Sequence, residues 1–274
     1  MPKTTAKTKI NAKTPSKRPG ESKKKADQYN DPKHNYLQYW EGRQYEHLAE
    51  EIAITRLLRG KNFKNAVDVG GGYGRLCILL ENYSDHVTLA EPSQQQLDIA
   101  VVFLKSHPEI DRRLMQADDL KFKDGSIDLL TMIRVMHHLP DPSVEFKEIA
   151  RVLSPEGYAV IEVANYLHIR NRLRHWASRE RMPVKPVDIR SAENRRADEI
   201  AFVNHNPATV VRQLEHAGLR VETTLSVSNL RSVRLKRVMP RELMLGAERM
   251  LQRPLAHIYF VPSIFFLVRK SRSA

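Results

Sequence analysis

The reading of this chain turns on Ala66-Val67-Asp68-Val69-Gly70-Gly71-Gly72-Tyr73-Gly74-Arg75. Ala66 to Val69 is a short apolar run of the kind that becomes a buried strand, and the glycines behind it form a turn. With no side chains in the way, backbone amides can approach a ligand at the mouth of the helix that begins near Leu76 and runs to Leu80. A glycine turn alone is a weak sign. Its weight comes from Glu91, which stands 21 residues after Gly70 at the carboxyl end of a second predicted strand, His86 to Glu91. A carboxylate there can accept hydrogen bonds from both hydroxyls of a ribose. The dinucleotide fingerprint G-x-G-x-x-G puts its third glycine where Arg75 stands, so the pattern speaks against a nicotinamide dinucleotide.

Outward from this turn, strands and helices alternate. Ser93 and Gln96 have the spacing of a capping box, and Leu97, Ala100, Val101 and Leu104 mark the inner face of the helix that follows. Leu114 to Ala117 reads as a third strand and Ile127 to Arg134 as a fourth, nearly all apolar, as in a parallel sheet covered on both faces. Asp141-Pro142 suits the cap and first position of a helix with the stripe Phe146, Ile149, Ala150, Leu153. Pro155-Glu156-Gly157 then turns the chain into a fifth strand, Tyr158 to Ala164. The alternation stops from Asn165 to Asn204 and resumes at Asn206-Pro207, a capped helix with Val210, Val211 and Leu214 inward and Gly218 as its stop. Arg220 to Val227 and Ser263 to Lys270 read as strands, with a helix near Arg241 to Leu251 between them. Upstream, Tyr45, Leu48, Ala49 and Ile52 have helical spacing that ends by Gly60. The pattern predicts a doubly wound α/β sheet of seven strands, mostly parallel, with one antiparallel strand near its carboxyl end.

The chain has 274 residues and is 41% hydrophobic, enough for one large domain with insertions. Its single cysteine, Cys77, excludes an intramolecular disulfide and a cysteine-built metal site, and reads as a buried helix residue; no metal is expected. Together with the lack of a signal-peptide pattern this points to a reducing, cytoplasmic setting. The longest apolar stretch, Ile258 to Val268, contains Pro262 and falls short of the roughly 20 residues of a membrane span. The net charge of +13 is concentrated in Met1 to Lys25, His168 to Arg196 and Arg231 to Arg253, while the remainder is acidic. Such basic surfaces attract nucleic acid, anionic lipid or an acidic small molecule, and the plainer reading is a solvated tail and solvated helix faces. Residues 1–28 are too poor in apolar side chains to offset the entropy of ordering, so a disordered basic tail is expected.

As an ordered series, Asp68 to Arg75, Glu91, Ala117 to Phe122, Asp124 to Leu130, His137-His138-Leu139 and Ala150 to Gly157 resemble the class I S-adenosylmethionine-dependent methyltransferases, of the type 11 branch. The resemblance covers roughly Val67 to Asn165. It implies a Rossmann-like methyltransferase domain over 61–274, with insertions at about 165–204 and 230–262 and a helical cap over 29–60. It implies that S-adenosylmethionine is the cofactor, its methionine part over Gly70, Gly71, Gly72 and Gly74, with Asp68 organising the turn's amides. Glu91, followed by Pro92, would hold the ribose. Adenine recognition falls to the segment Gln116-Ala117-Asp118, where Gln116 occupies the usual acid position and Asp118 lies two residues on, so either can take the amino group. Arg134 can face the cofactor carboxylate or pair with an acid of the body.

Methyl transfer needs an acceptor lone pair held in line with the sulfonium methyl, and positioning supplies most of the acceleration, so a base is optional. His137 and His138 can remove an acceptor proton or serve as packing residues. No Asn/Asp-Pro-Pro-aromatic clamp for a nucleobase amine follows strand four. Acceptor specificity is expected in Tyr39, Trp40, Arg43 and Tyr45 and in the 165–204 insertion with Tyr166 and Trp176, each of which can instead be ordinary packing or a solvated excursion. The acceptor expected is a small-molecule or lipid-like compound. RNA held by the basic segments, peripheral contact with anionic lipid, and a non-catalytic cofactor-binding scaffold are the alternatives.

Overall fold

The computed structural model describes residues 28–30, 39–196 and 200–271. The expected disordered tail therefore lies, up to residue 27, outside the described residues. A 3-10 turn at Gln28–Asn30 comes first, followed by α1 (Gln44–Leu57), β1 (Phe63–Val69), a single-turn α2 (Cys77–Leu80), β2 (Ser84–Glu91), α3 (Gln94–Phe103), β3 (Asp111–Leu114) and β4 (Ile127–Met132). A second 3-10 turn, Met136–His138, leads to α4 (Ser143–Val152), β5 (Leu153–Ala164), α5 (Ile169–Ser178), β6 (Val187–Asp188), α6 (Ala192–Arg196) and β7 (Val203–Asn204). The chain then forms α7 (Pro207–His216), β8 (Leu219–Ser226), α8 (Val233–Val238), α9 (Arg241–Ala256) and β9 (Ser263–Lys270).

The main sheet has seven strands in the order β3-β2-β1-β4-β5-β9-β8. β1 to β5 pair in parallel, whereas β9 runs antiparallel to both β5 and β8. The expected fold class holds. From β1 the chain winds outward to β3, then returns to place β4 on the other side of β1, so the sheet's switch point lies between the carboxyl ends of β1 and β4. Ligands of open α/β sheets bind at such a point, because neighbouring loops diverge there and leave a crevice.

Two apolar layers cover the sheet. Along β9, Phe265 and Leu267 join a core with Ala49, Ile54, Leu58, Leu80 and Leu104, while Ile264, Phe266 and Val268 join one with Phe146, Ile149 and Leu214. The period of two along a strand makes this division.

Several boundaries differ from the sequence reading. β3 ends at Leu114 instead of starting there, because this edge strand is solvated and carries Asp111, Arg112 and Arg113, while Met115 is buried in the loop beyond it. β5 begins at Leu153, with Pro155 to Gly157 inside an irregularity of its pairing with β4. Ile127 to Arg134 loses its last two residues, which leave the sheet after Met132. On α3, Val101 is 56% exposed and Gln96 takes its place on the inner face. Ser93 Oγ caps the Gln96 amide at 3.2 Å, but the Gln96 side chain reaches Tyr29 O at 3.5 Å, so the reciprocal half of the box is not made.

The stripe on α1 is shifted as well. Leu48 and Ile52 are only partly covered, and the inner face carries Tyr45, Glu46, Ala49, Glu50, Ala53 and Ile54. Two carboxylates on a buried helix face need partners. Glu46 meets Lys236 of α8, and the partners of Glu50 come from the site.

Candidate active site

The glycine turn leaves β1 at the switch point. Gly70 has φ +65°, and its amide donates to Ala90 O at 2.7 Å. A β-carbon at Gly70 would lie 2.5 Å from Val135 Cγ2, so the turn and the segment after β4 approach each other more closely than any side chain allows. Gly71 lies against the Asp68 carboxylate and Gly74 against Leu104, where β-carbons would also collide. These three glycines are needed by packing inside the protein. Gly72, with φ +62°, turns its amide toward Glu91.

Asp68 is buried beneath the turn. Its Oδ1 accepts from Thr131 Oγ1 at 2.6 Å and its Oδ2 from Cys77 Sγ at 3.8 Å. The expectation that Asp68 organises the turn's amides is corrected: its partners are two side chains, and an amide of the turn is held by Glu91 from the opposite wall. Burial raises the Asp68 carboxyl from 3.8 to about 6, against the opposing effects of Thr131, Arg75 and Cys77. Because its folded-state value is raised, ionising Asp68 costs stability above pH 6, and that cost fades as pH falls toward the unfolded value. At one pKa unit per 1.36 kcal/mol the cost is about 3 kcal/mol. Asp68→Asn is therefore expected to gain about that much relative to the natural chain between pH 4 and 7.5. Urea midpoints across this range would measure the change; a gap between the two proteins that stays constant with pH would contradict the buried charge.

Glu91 ends β2 with 5% exposure. Its Oε2 accepts from Gly72 N at 2.9 Å and its Oε1 from Ser93 N at 2.9 Å. Pro92, between them in sequence, is exposed. The loop beyond β3 brings Gln116, Ala117 and Asp118 toward the same end of the sheet; Gln116 and Asp118 are exposed and Ala117 is half-buried. Across from Asp118, Glu145 of α4 keeps a buried Oε2 with no hydrogen-bond partner, and burial, then the charges of Asp118 and Asp141, raise its carboxyl. The sequence reading missed Glu145, since an acid in a helix's first turn looks like a solvated dipole partner.

The second wall belongs to α1. Arg75 Nη2 lies 2.5 Å from Glu50 Oε2, and Arg134 Nη2 lies 2.6 Å from Glu50 Oε1. Both guanidinium groups also lie over the ring of Trp40, only 9% exposed, at 3.8 Å from its centroid for Arg75 and 4.9 Å for Arg134. Burial alone would raise the Glu50 carboxyl, but the two arginines hold it below the usual range. Of the two alternatives for Arg134, the structure gives it an acid of the body. Arg134 has φ +60°, a conformation costing roughly 1–2 kcal/mol for a residue with a β-carbon, and its amide donates to the buried Glu162 Oε2 at 2.7 Å. Of the two alternatives for Tyr45, acceptor contact or packing, the structure gives packing: its hydroxyl donates to Glu248 of α9 at 2.6 Å.

His137 and His138 follow, in the 3-10 turn after β4. Their rings lie 3.9 Å apart, and Phe202, at the far end of the insertion, lies 4.4 Å from His137. Burial, then His138, Arg134 and His205, keep the His137 imidazole well below its usual range. The insertion closes at its neck: His205 N donates to Ala164 O at 2.7 Å, Tyr166 N donates to His205 O at 2.7 Å, and His205 Nε2 bonds Met136 O at 2.9 Å. Trp176 is 81% exposed and Tyr166 pairs with His175, so neither of the insertion's expected aromatics meets the histidine pair; Phe202 does.

The family model for the methyltransferase domain matches residues 39–224, a stretch that includes the glycine turn, Glu91 and both histidines. The chain belongs to the class I S-adenosylmethionine-dependent methyltransferases. This methyltransferase is 29% identical over 101 residues to a ubiquinone biosynthesis O-methyltransferase of Xanthomonas oryzae, covering 36% of this chain and 42% of that protein. It is 31% identical over 104 residues to a ubiquinone/menaquinone biosynthesis C-methyltransferase of Rubrivivax gelatinosus, covering 38% and 41%. The matched stretch spans less than half the length of either relative. Among solved structures, an S-adenosylmethionine-dependent methyltransferase from Mesorhizobium loti has a TM-score of 0.55 at 18% identity, covering 81% of this chain and 98% of that one. The cyclase SpnF has a TM-score of 0.55 at 17% identity, covering 89% and 86%. At such identities the likeness is one of fold, and the two names show that this fold serves more than one chemistry.

Proposed function

We propose that the protein transfers the methyl group of S-adenosylmethionine to a small or lipid-like organic acceptor. The observation that carries this reading is the Glu91 carboxylate, buried at the carboxyl end of β2 and hydrogen-bonded across the switch point to Gly72 of the turn. Family membership supports the cofactor, and the chemistry of the donor set fits it. Backbone of Gly70 to Gly74 would receive the methionine part and Glu91 the ribose hydroxyls, beside Pro92. Gln116, Ala117 and Asp118 would meet the adenine, with the partnerless Glu145 Oε2 close to Asp118. At the other end, the buried Trp40 Nε1, which has no hydrogen-bond partner among the described residues, suits a carboxylate, with Arg75 and Arg134 held beside it by Glu50.

The cofactor supplies a methyl group already activated by positive sulfur. The protein's task is to hold an acceptor close and exclude water, which can supply up to about 7–11 kcal/mol of the barrier reduction. Two curated relatives are named for ubiquinone biosynthesis, which favours a small or lipid-like ring compound as acceptor. No helix among the described residues is long and apolar enough to cross a membrane.

Calorimetric titration with S-adenosylmethionine, followed by transfer from the labelled compound to separated small-metabolite, lipid and RNA fractions, tests the reading. Label in the metabolite or lipid fraction is the expected result. Label in RNA alone would replace the acceptor class, and absence of cofactor binding would overturn the function.

A further inference from the structure

The two histidines after β4 are held differently. His138 Nδ1 lies 2.9 Å from Ala201 O. A carbonyl only accepts, so this nitrogen carries the proton and the tautomer of the neutral ring is set from the insertion side. Nε2 then presents its lone pair, and it lies 2.9 Å from the hydroxyl of Tyr29, which donates. The Tyr29 ring stands edge-on to the imidazole at 84°, with centroids 5.3 Å apart. His137 makes no hydrogen bond through its ring among the described residues and stacks between His138 and Phe202.

Tyr29 reaches His138 from the cofactor side. Its carbonyl accepts from Ser93 Oγ at 2.8 Å, two residues beyond Glu91, so one tyrosine side chain spans the distance from the ribose acid's corner to His138. The 3-10 turn that carries His138 is itself fixed, through Val135 against Gly70 and through Met136 O bonded to His205. A phenol therefore already lies on an oriented imidazole lone pair beside the crevice.

We propose that His138 is the general base for an acceptor hydroxyl, of phenol type, and that the Tyr29 phenol stands where that hydroxyl binds. This rests on the methyl-transfer reading above. The acceptor displaces the Tyr29 hydroxyl, and its ring lies against Phe202. As the acceptor O–H bond breaks, its proton passes to Nε2; the oxygen's electron pair forms the new bond to the methyl carbon, while the carbon–sulfur bond breaks and leaves its pair on sulfur. Nδ1–H stays on Ala201 O throughout, and Nε2 returns its proton to water. Among the described residues, Tyr29 and His137 face His138, with His205 and Arg134 acting on the pair through His137.

The test uses the full chain, S-adenosylmethionine and two probes: catechol, and 4-nitrocatechol, whose more acidic hydroxyl needs no base near neutral pH. His138→Asn and His138→Gln are expected to lower kcat on catechol by on the order of 10²–10⁴, the range of general-base catalysis, with far smaller losses on 4-nitrocatechol. Calorimetry should find cofactor binding by both variants unchanged. In a reading independent of turnover, Tyr29→Phe should bind 4-nitrocatechol several-fold more tightly than the natural chain by absorbance titration without cofactor. Equal losses on both probes in both variants, or weaker probe binding by Tyr29→Phe, would overturn the assignment. If the natural chain binds cofactor but methylates neither probe, the phenol assignment falls while the methyl-transfer reading stands. If it does not bind cofactor, both fall.

Discussion

Glu50→Gln should remove about 3–5 kcal/mol of folding stability, the usual loss when one member of a buried ion network is taken away. Glu50 is 1% exposed and serves two guanidinium groups, Arg75 from the glycine turn and Arg134 from the segment after β4. Glutamine keeps the volume but leaves two neighbouring cations over Trp40 without the carboxylate they share. The effect also has a definite pH signature. The Glu50 carboxyl titrates below its unfolded value of 4.5, so its contribution is fully present above that pH and is lost as pH falls through the lower folded-state value. The gap between variant and natural chain should therefore narrow in acid. Urea unfolding at neutral and acidic pH would measure it, with Asp119→Asn as the contrast. That change breaks only an exposed pair with Lys121 and is expected to cost less than about 1 kcal/mol. Similar losses for the two variants would refute the tie between α1 and the site.

The second large effect concerns the cofactor. Two charge-assisted hydrogen bonds from a ribose to the Glu91 carboxylate are together worth about 3 kcal/mol, so Glu91→Ala should weaken S-adenosylmethionine binding on the order of 100-fold. The loss has two sources. The ribose acceptors disappear, and the Gly72 and Ser93 amides that Glu91 now holds are released, loosening the turn. Gly72→Val should weaken binding at least as much, since a branched side chain at φ +62° is strained whatever space surrounds it. Titration calorimetry on both variants, alongside thermal unfolding to confirm that Glu91→Ala still folds, would decide. Wild-type affinity in both would remove the cofactor from this crevice.

Legibility differed from residue to residue for physical reasons. Glu91 could be found because strand length, turn and acid follow one another in the chain, and a register of this kind is local. Glu50 could not, because a glutamate four residues from Glu46 on a helix reads as a solvated face unless one knows that Arg75 and Arg134 converge on it. β3 was misplaced by three residues because an edge strand has little need of apolar side chains, and the apolar signal came from the loop that tucks Met115 beneath the sheet. Asp68 stands at the start of the turn in the sequence, but its partners, Thr131 and Cys77, come from a neighbouring strand and a following helix.

From sequence alone one can determine the order of elements, the parallel sheet with its late antiparallel strand, the glycine turn and the acid facing it, since all of these rest on periodicity and turn chemistry within short windows. Which distant side chains meet was decided only in three dimensions: Glu50 with its two arginines, Tyr29 with His138, Phe202 with His137. Those contacts join residues from 25 to 109 positions apart, and no local pattern encodes a pairing that exists only once the sheet has brought its loops to one end.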